Sequence, residues 1–287
     1  MRIAYVVGDE DPLDPDPDLD IPYAKQAAQD LNIDLVFTNW NDQSIDWSNF
    51  DAGLIRSTWD YVPKRDKFLE FAKKVEQQTK LFNSFDVMNW NTDKKYLQQM
   101  EERGLQIIPT KFVSNLNEAK NEIDSAFSQS KSIAIKPSIG AGARLAGKAG
   151  NAAEAINLAE KIFAANRTAM IQPYIESVDT EGEKAIIVID GRISHVAIKV
   201  PALTKGGHGD AARKEEISNE VVDFVYKVSQ CVKDWDDLLF ARVDVVRYKG
   251  ELVLMELELT EPWLFMQYRP ESAKNLFKAL QNRIVCI

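Results

Sequence analysis

Two late segments place charged side chains among residues otherwise suited to core strands, 240-FARVDVV-246 and 251-ELVLMELELT-260. They carry Arg242, Asp244, Glu256 and Glu258. A carboxylate in apolar surroundings is costly unless a cation or a hydrogen-bond donor meets it. The link 248-YKG-250 reads as a three-residue hairpin loop, with Gly250 in its left-handed position. That loop predicts Arg242 opposite Glu256 and Asp244 opposite Leu254. Strand alternation then puts Arg242, Asp244, Glu256 and Glu258 on one face. A two-residue loop would send Asp244 to the other face. Three carboxylates beside one guanidinium suit a divalent ion, and oxygen-only ligands suit magnesium, which keeps waters and leans on substrate phosphates. An amphipathic strand with a solvated acidic face is the plain alternative.

Other stretches carry features that suit phosphate or nucleotide. In 133-IAIKPSIGAGARLAG-147, Lys136 closes a strand and is followed by Gly140 and Gly142. Glycines let backbone N–H groups approach an anion, and the lysine adds a point charge. A hairpin rich in small residues would look alike, and neither a Walker nor a dinucleotide pattern is present. Lys94, in 91-NTDK, falls near a predicted helix start, where its charge opposes the helix dipole. A ligand role and a solvated surface lysine are both open there. The segment 172-QPYI-175 ends a strand with a proline, leaving backbone groups able to bond an adenine, with Glu183 near a ribose. His195 lies within a strand pattern and reads as a packed structural histidine. His208, between glycines, is equally compatible with ligand contact and with idle exposure. Trp59 and Trp263 are candidates to line a substrate pocket.

The scaffold for these residues alternates strand and helix from the start. Strands are expected at 3–7, 34–40 and 52–58, with helices at 23–31 and 64–78, the rhythm of a small parallel sheet. The intervening 9-DEDPLDPDPDLD-20 reads as a solvated loop without EF-hand spacing. A second region begins near residue 83, where Asn91 or Thr92 can cap a helix that Gly104 ends. Helices at 117–128 and 151–166 follow, then a strand at 169–176. From 184 the pattern turns antiparallel, with Asp190-Gly191 as a hairpin signal. A glycine-containing loop at 204–216, a long helix from Ser218 and a terminal helix at 272–282 complete the chain.

Length and composition bound the class. With 287 residues, 45% hydrophobic and 28% charged, the chain is a globular α/β protein of one large domain or two. Its net charge of −9 argues against a nucleic-acid backbone as partner, while leaving room for a local basic pocket. The two cysteines, Cys231 and Cys286, lie far apart without metal-type spacing, so reduced thiols and a cytoplasmic location are expected. The opening MRIAYVVGDE is unlike a signal peptide, and no apolar run reaches membrane length.

Taken in order, the lysine helix, IKPSIGAGAR, QPYI, EGEK, IKVP, ARVDVV and LMELELTEP resemble an ATP-grasp enzyme over nearly the whole chain. AGLIRSTWDY matches the substrate-side N-terminal domain of such enzymes. From about residue 83 the chain is similar to prokaryotic glutathione synthetases, and RSTWDY, NTDK and ELTEP resemble the O-ureido-serine cyclo-ligases of cycloserine assembly. The resemblance implies an α/β ATP-grasp fold with a small parallel α/β domain over 1–85 and an ATP-grasp domain over 86–287. The latter would divide into a glycine-loop subdomain, 86–175, and a metal-site antiparallel sheet, 176–287.

By position, Lys94 and Lys136 would contact ATP phosphates and adenine-side groups, beside Gly140 and Gly142. Gln172, Tyr174 and Ile175 would form the adenine hinge, and Glu183 would hold the ribose. Asp244, Glu256 and Glu258 would bind magnesium, and Arg242 would stabilise the transferring phosphoryl group. Lys199, with Arg213 or His208, would close over substrate, and Arg56, Ser57, Thr58 and Asp60 would face it. Three positions depart from the pattern: Glu258 stands where asparagine is frequent, Ala185 where many glutathione synthetases have arginine, and Ala141 and Ala143 interrupt the glycines.

The implied chemistry is phosphorylation of a substrate carboxylate, then amine attack on the acyl phosphate, under a lid formed by 204–216. The substrate would be small and amino-acid-like, and the product a ring or an amide. A homodimer or homotetramer is left open. A kinase on the same fold and a non-catalytic nucleotide-binding protein are the competing expectations; dependence of ADP release on an amine acceptor separates ligase from kinase.

Overall fold

Strands β1 (Arg2–Val7), β2 (Asp34–Asn39), β3 (Ala52–Ile55) and β4 (Lys80–Phe82) pair in parallel in the order β2-β1-β3-β4. The computed structural model that shows this describes residues 1–9, 18–200, 203 and 211–285. Two crossover helices cover the sheet. Ile21–Asp30 buries Ala24, Ala27 and Ala28, and Arg65–Glu76 buries Phe68, Leu69, Phe71, Ala72 and Val75. Both sets recur at the three- and four-residue spacing of a single helix face.

The second sheet is antiparallel, β5 (Lys111–Val113), β6 (Ile133–Pro137), β7 (Gly147–Ala149) and β8 (Ala169–Pro173), in the order β5-β8-β6-β7. Its helices, Leu116–Phe127 and Ala152–Ala164, are each opened by an asparagine cap, Asn115 on the Glu118 N–H and Asn151 on the Glu154 N–H. Those caps satisfy donors that a helix start otherwise leaves open.

The third sheet joins β9 (Glu183–Ile189), β10 (Arg192–Lys199), β11 (Ala211–Glu215), β12 (Phe240–Tyr248) and β13 (Glu251–Glu258) in the order β11-β10-β9-β12-β13, every pair antiparallel. One face, with Ile186, Val188, Val243 and Val245, packs on helices Tyr96–Glu102 and Asn219–Cys231. The opposite face, with Ala185, Ile187 and Ile189, packs on the terminal helix Glu271–Val285 and on Ile3 and Tyr5 of β1. The first and third sheets therefore share a core. No helix among the described residues is long and apolar enough to cross a membrane.

Several expectations change. The stretch 83–104 forms two helices, Phe85–Asn91 and Tyr96–Glu102, and the first is capped by Ser84 on the Val87 N–H. Asn91 ends a helix instead of starting one because its amide is bound to a distant strand. Strand β3 stops at Ile55, short of Thr58. Asp18 and Asp20 are not solvated loop carboxylates: Asp18 accepts from the Tyr5 hydroxyl at 3.0 Å, and Asp20 is 1% exposed. Of the proposed lid 204–216, residues 204–210, His208 among them, lie outside the described residues, and Ala211–Glu215 is strand β11. The Asp190-Gly191 turn joins β9 and β10 as expected, both residues having positive φ.

His195 is packed in β10, 1% exposed, its imidazole bonded to the Ser194 hydroxyl at 3.0 Å and the Phe265 carbonyl at 3.1 Å. Burial, aided by the charges of Arg269 and Lys214, lowers its pKa to about 4. A folded value below the unfolded one favours the neutral ring, so this stability is complete above about pH 6.5 and is lost as pH falls toward 4. His195→Gln should remove up to about 3 kcal/mol of that acid-side loss, read as the difference between the two proteins' urea unfolding at pH 7 and pH 4.5. Parallel pH profiles would contradict it.

Candidate active site

The β12–β13 hairpin turns through two residues, Lys249 and Gly250, with φ of 52° and 90°, as a right-twisted hairpin requires. This corrects the three-residue loop expected from 248-YKG-250. On its own, such a turn would face Asp244 away from the glutamates. The register shifts between Asp244 and Val245, however, leaving Met255 as an extra residue on β13. Beyond that bulge Asp244 pairs with Glu256 and Arg242 with Glu258. The four charged residues share a face after all, through a bulge and not through the turn.

The outer edge of β13 is closed by backbone and side chains of the second region. The backbone of Leu254 bonds to Gln106 and Ile108, Leu257 both donates to and accepts from the Tyr96 hydroxyl at 2.8 and 2.9 Å, and Leu259 donates to Asn91 Oδ1 at 2.7 Å. Asn83 Nδ2 spans the carbonyls of Phe240 and Leu259 at 2.9 and 2.7 Å. Edge backbone groups left open would be mobile and available for pairing. Here they are satisfied, so Glu256 and Glu258 project from a fixed strand.

The charges on this face are interlocked. Arg242 donates to both Asp244 oxygens, Nε to Oδ1 and Nη2 to Oδ2 at 2.9 Å, and also to Glu258 and the Trp263 carbonyl. Lys199 bridges Asp244, at 2.9 Å, and Glu183, its cross-strand partner. Lys94 lies between the two helices of the second region, its Nζ 2.9 Å from Glu256 and 2.7 Å from the Gly140 carbonyl. Burial opposes ionisation of Asp244, but Arg242 and Lys199 outweigh it and hold the carboxyl far below the usual range. Burial and the neighbouring Glu256 and Asp244 push Glu258 upward, and Arg242 offsets this only in part. The face calls for further positive charge.

Lys136 presents the complementary need. It has no ion-pair or hydrogen-bond partner among the described residues. Burial depresses its pKa, and Glu183 and Glu256 compensate incompletely. A desolvated ammonium beside Lys94 suits a multiply charged anion.

All of this borders one cavity of about 620 Å³ between the second and third sheets, closed at one end by the first. Lys94, Lys136, Gly140, Gly142, Gln172, Tyr174, Ile175, Glu183, Lys199, Arg242, Glu256 and Glu258 line it, as do Ser57 and Asp60. The glycine-loop backbone turns through positive φ at Gly142, Ala143 and Leu145, aiming Arg144 at the same space. Gln172 is 2% exposed, and its amide donates to Thr110 at 2.8 Å. Tyr174 donates to Asp179 at 2.7 Å.

Four predicted residues stand elsewhere. Asp244 is fully buried behind the cavity, both oxygens taken by cations. Arg56 is 1% exposed and bonds Asp20 at 3.1 Å and the Pro262 carbonyl at 2.8 Å, over the Phe240 ring. Thr58 is fully buried, and Arg213 is exposed on β11 opposite Ile198. Sequence reasoning missed Asn83, Asn91 and Tyr96 as strand anchors, and Glu261 and Tyr61 as cavity residues. The adjacency of Glu261 to the ELE alternation and of Tyr61 to RSTWDY was the available signal.

The sequence matches two families, D-cycloserine synthetase DcsG, N-terminal domain, over residues 3–83, and prokaryotic glutathione synthetase, ATP-grasp domain, over residues 97–267. It is 28% identical to the cycloserine biosynthesis protein DcsG of Streptomyces lavendulae, across 93% of this chain and 94% of that protein. Among solved structures, the D-cycloserine synthetase DcsG superposes with a TM-score of 0.87 at 26% identity, over 99% of this chain and 100% of that one. A D-alanine–D-alanine ligase from Bacillus anthracis, complexed with ATP, superposes at 0.70 with 14% identity over 100% and 97% of the two chains, a likeness of fold.

Proposed function

Since the chain belongs to the prokaryotic glutathione synthetase ATP-grasp family, and is thus an ATP-dependent ligase forming a carbon–nitrogen bond, we propose that it activates the carboxylate of a small amino-acid-like substrate and closes a ring on it. The observation that carries this is the convergence of Lys94, Lys136, Lys199 and Arg242 on one cavity, with Lys136 lacking an ion-pair partner among the described residues.

In this reading the phosphates of ATP lie against Lys94, Lys136 and the Gly140–Gly142 backbone. The adenine sits by Gln172, Tyr174 and Ile175, and the ribose by Glu183. Magnesium fits the donors present: two carboxylates that line the cavity, Glu256 and Glu258, match an ion that takes one or two protein oxygens and completes its shell with phosphates and water. When bound it would neutralise charge on the transferring group. Among the described residues no three His, Cys, Asp or Glu side chains gather as a metal site. Asp244 then serves by fixing Arg242 and Lys199, whose cations face the developing charge of phosphoryl transfer to the carboxylate. A nitrogen of the substrate attacks the acyl phosphate, and phosphate departs.

The substrate end is lined from the N-terminal sheet by Ser57, Trp59, Asp60 and Tyr61 and from the far side by Trp263. Likeness to D-cycloserine synthetase over the full chain favours an O-ureidoserine-type substrate and ring closure. A cytoplasmic setting, where ATP and magnesium are plentiful, belongs to the same proposal.

The test is release of ADP and phosphate with magnesium and ATP across amino acids, dipeptides and O-ureidoserine. Strong stimulation by O-ureidoserine without any added amine is expected. Stimulation only by a pair of substrates would replace cyclisation with intermolecular ligation, and a stable phosphorylated product would mark a kinase.

A further inference from the structure

The carboxylates around the reacting end of the cavity differ in one respect. Glu183, Glu256 and Glu258 are each bonded to a lysine or arginine. Glu261 lines the same cavity and has no ion pair among the described residues. It stands where the third sheet meets the N-terminal wall, next to Lys94, Glu256 and Tyr61.

Its backbone is held from several sides. Trp59 Nε1 donates to the Glu261 carbonyl at 2.9 Å, Arg56 to the Pro262 carbonyl at 2.8 Å, and Asp20 accepts from the N–H groups of Leu264 and Met266 at 2.6 and 2.9 Å. The RSTWDY segment thereby fixes the position of this carboxylate, which gives Arg56 a role without substrate contact. Among the described residues Glu261 is thus an immobilised carboxylate without a counter-ion, between the proposed phosphate-binding cations and the substrate wall.

We propose that Glu261 is the proton acceptor for the attacking nitrogen in the ligation step, an assignment that rests on the ligase reading above. As the nitrogen lone pair forms the C–N bond, its N–H proton passes to the Glu261 carboxylate. The carbon–oxygen bond to phosphate breaks, and inorganic phosphate leaves with that electron pair. No oxidant or further reactant is needed.

The experiment compares wild type with Glu261→Gln, which keeps the size and the Tyr61 contact, using O-ureidoserine, magnesium and ATP with and without hydroxylamine. Hydroxylamine is neutral at pH 7 and captures acyl phosphates without a protein base. In the variant, ring formation should fall by about 100-fold or more while hydroxamate formation stays within about threefold of wild type. Glu261→Asp should recover part of the rate. Parallel loss of hydroxamate, or a raised KM with kcat preserved, would overturn the assignment by making Glu261 a binding or phosphoryl-transfer group. Retained ring formation would overturn it outright. A wild type that releases no ADP with O-ureidoserine or any amino acid removes the ligase reading itself, and does so before any variant is made.

Discussion

Arg242→Met is expected to destabilise the fold by about 3–5 kcal/mol and to lower ATP turnover by about 10³-fold or more. Arg242 is 5% exposed, and Asp244, to which it donates two hydrogen bonds, is completely buried. Methionine fills much of the volume but leaves Asp244 with Lys199 as its one cation among the described residues and removes the donor that Arg242 gives the Trp263 carbonyl. Removing one partner of a buried pair exposes the desolvation cost of the other, which is far larger than the net worth of the intact pair. The same guanidinium faces the cavity, where under the proposed function it would meet charge developing on the transferred group. Urea unfolding and ADP release measure the two effects separately. Arg242→Lys should fall between the two proteins, because an ammonium cannot reproduce the forked contact with Asp244. Unchanged stability in the methionine variant would mean that the network does not hold the strand pair.

Glu256→Gln should separate function from folding at the same site. Its side chain is 27% exposed and pairs with Lys94, whose Nζ also bonds the Gly140 carbonyl. Loss of a partly exposed pair changes stability by less than about 1 kcal/mol. Turnover should nonetheless drop by about 10³-fold, because the amide could not supply an anionic oxygen to a magnesium ion that Glu256 would hold under the proposed function. Full turnover in this variant would take Glu256 out of the metal-binding role.

The contrast between these two carboxylate-bearing strands bears on what a sequence discloses. Alternation along 240–246 and 251–260 correctly gathers Arg242, Asp244, Glu256 and Glu258, yet the hairpin it was argued from is not the one formed. A tight Lys249-Gly250 turn and a bulge at Met255 reach the same face by two compensating steps. Met255 has nothing in its type or neighbours to announce a bulge, since the bulge answers to the pairing of Leu254 with Gln106 and Ile108 and of Leu257 with Tyr96. Those contacts span about 150 residues of sequence and leave no periodic trace. Asp20 departs from its expected solvated setting for a related reason: an aspartate in a proline-rich acidic stretch looks solvated until Arg56 and the 264–266 backbone are brought to it. The parallel N-terminal sheet, by contrast, was legible because each strand and crossover helix buries its own local stripe.

The ionic arrangement makes a demand on binding. Lys94 is held by Glu256, and Arg242 by Glu258, so the groups proposed for phosphate and for metal neutralise one another. ATP alone would draw the lysine away and leave Glu256 facing phosphates; magnesium alone would have to displace a lysine. Bound together, each supplies the charge that the other's protein partners lose. Calorimetric titration of the wild-type protein with ATP, with and without magnesium, tests this most directly. Tight binding that weakens at least about tenfold when magnesium is withheld is the predicted result. Equal affinity in both conditions, or no binding of magnesium and ATP together at millimolar concentration, would contradict it.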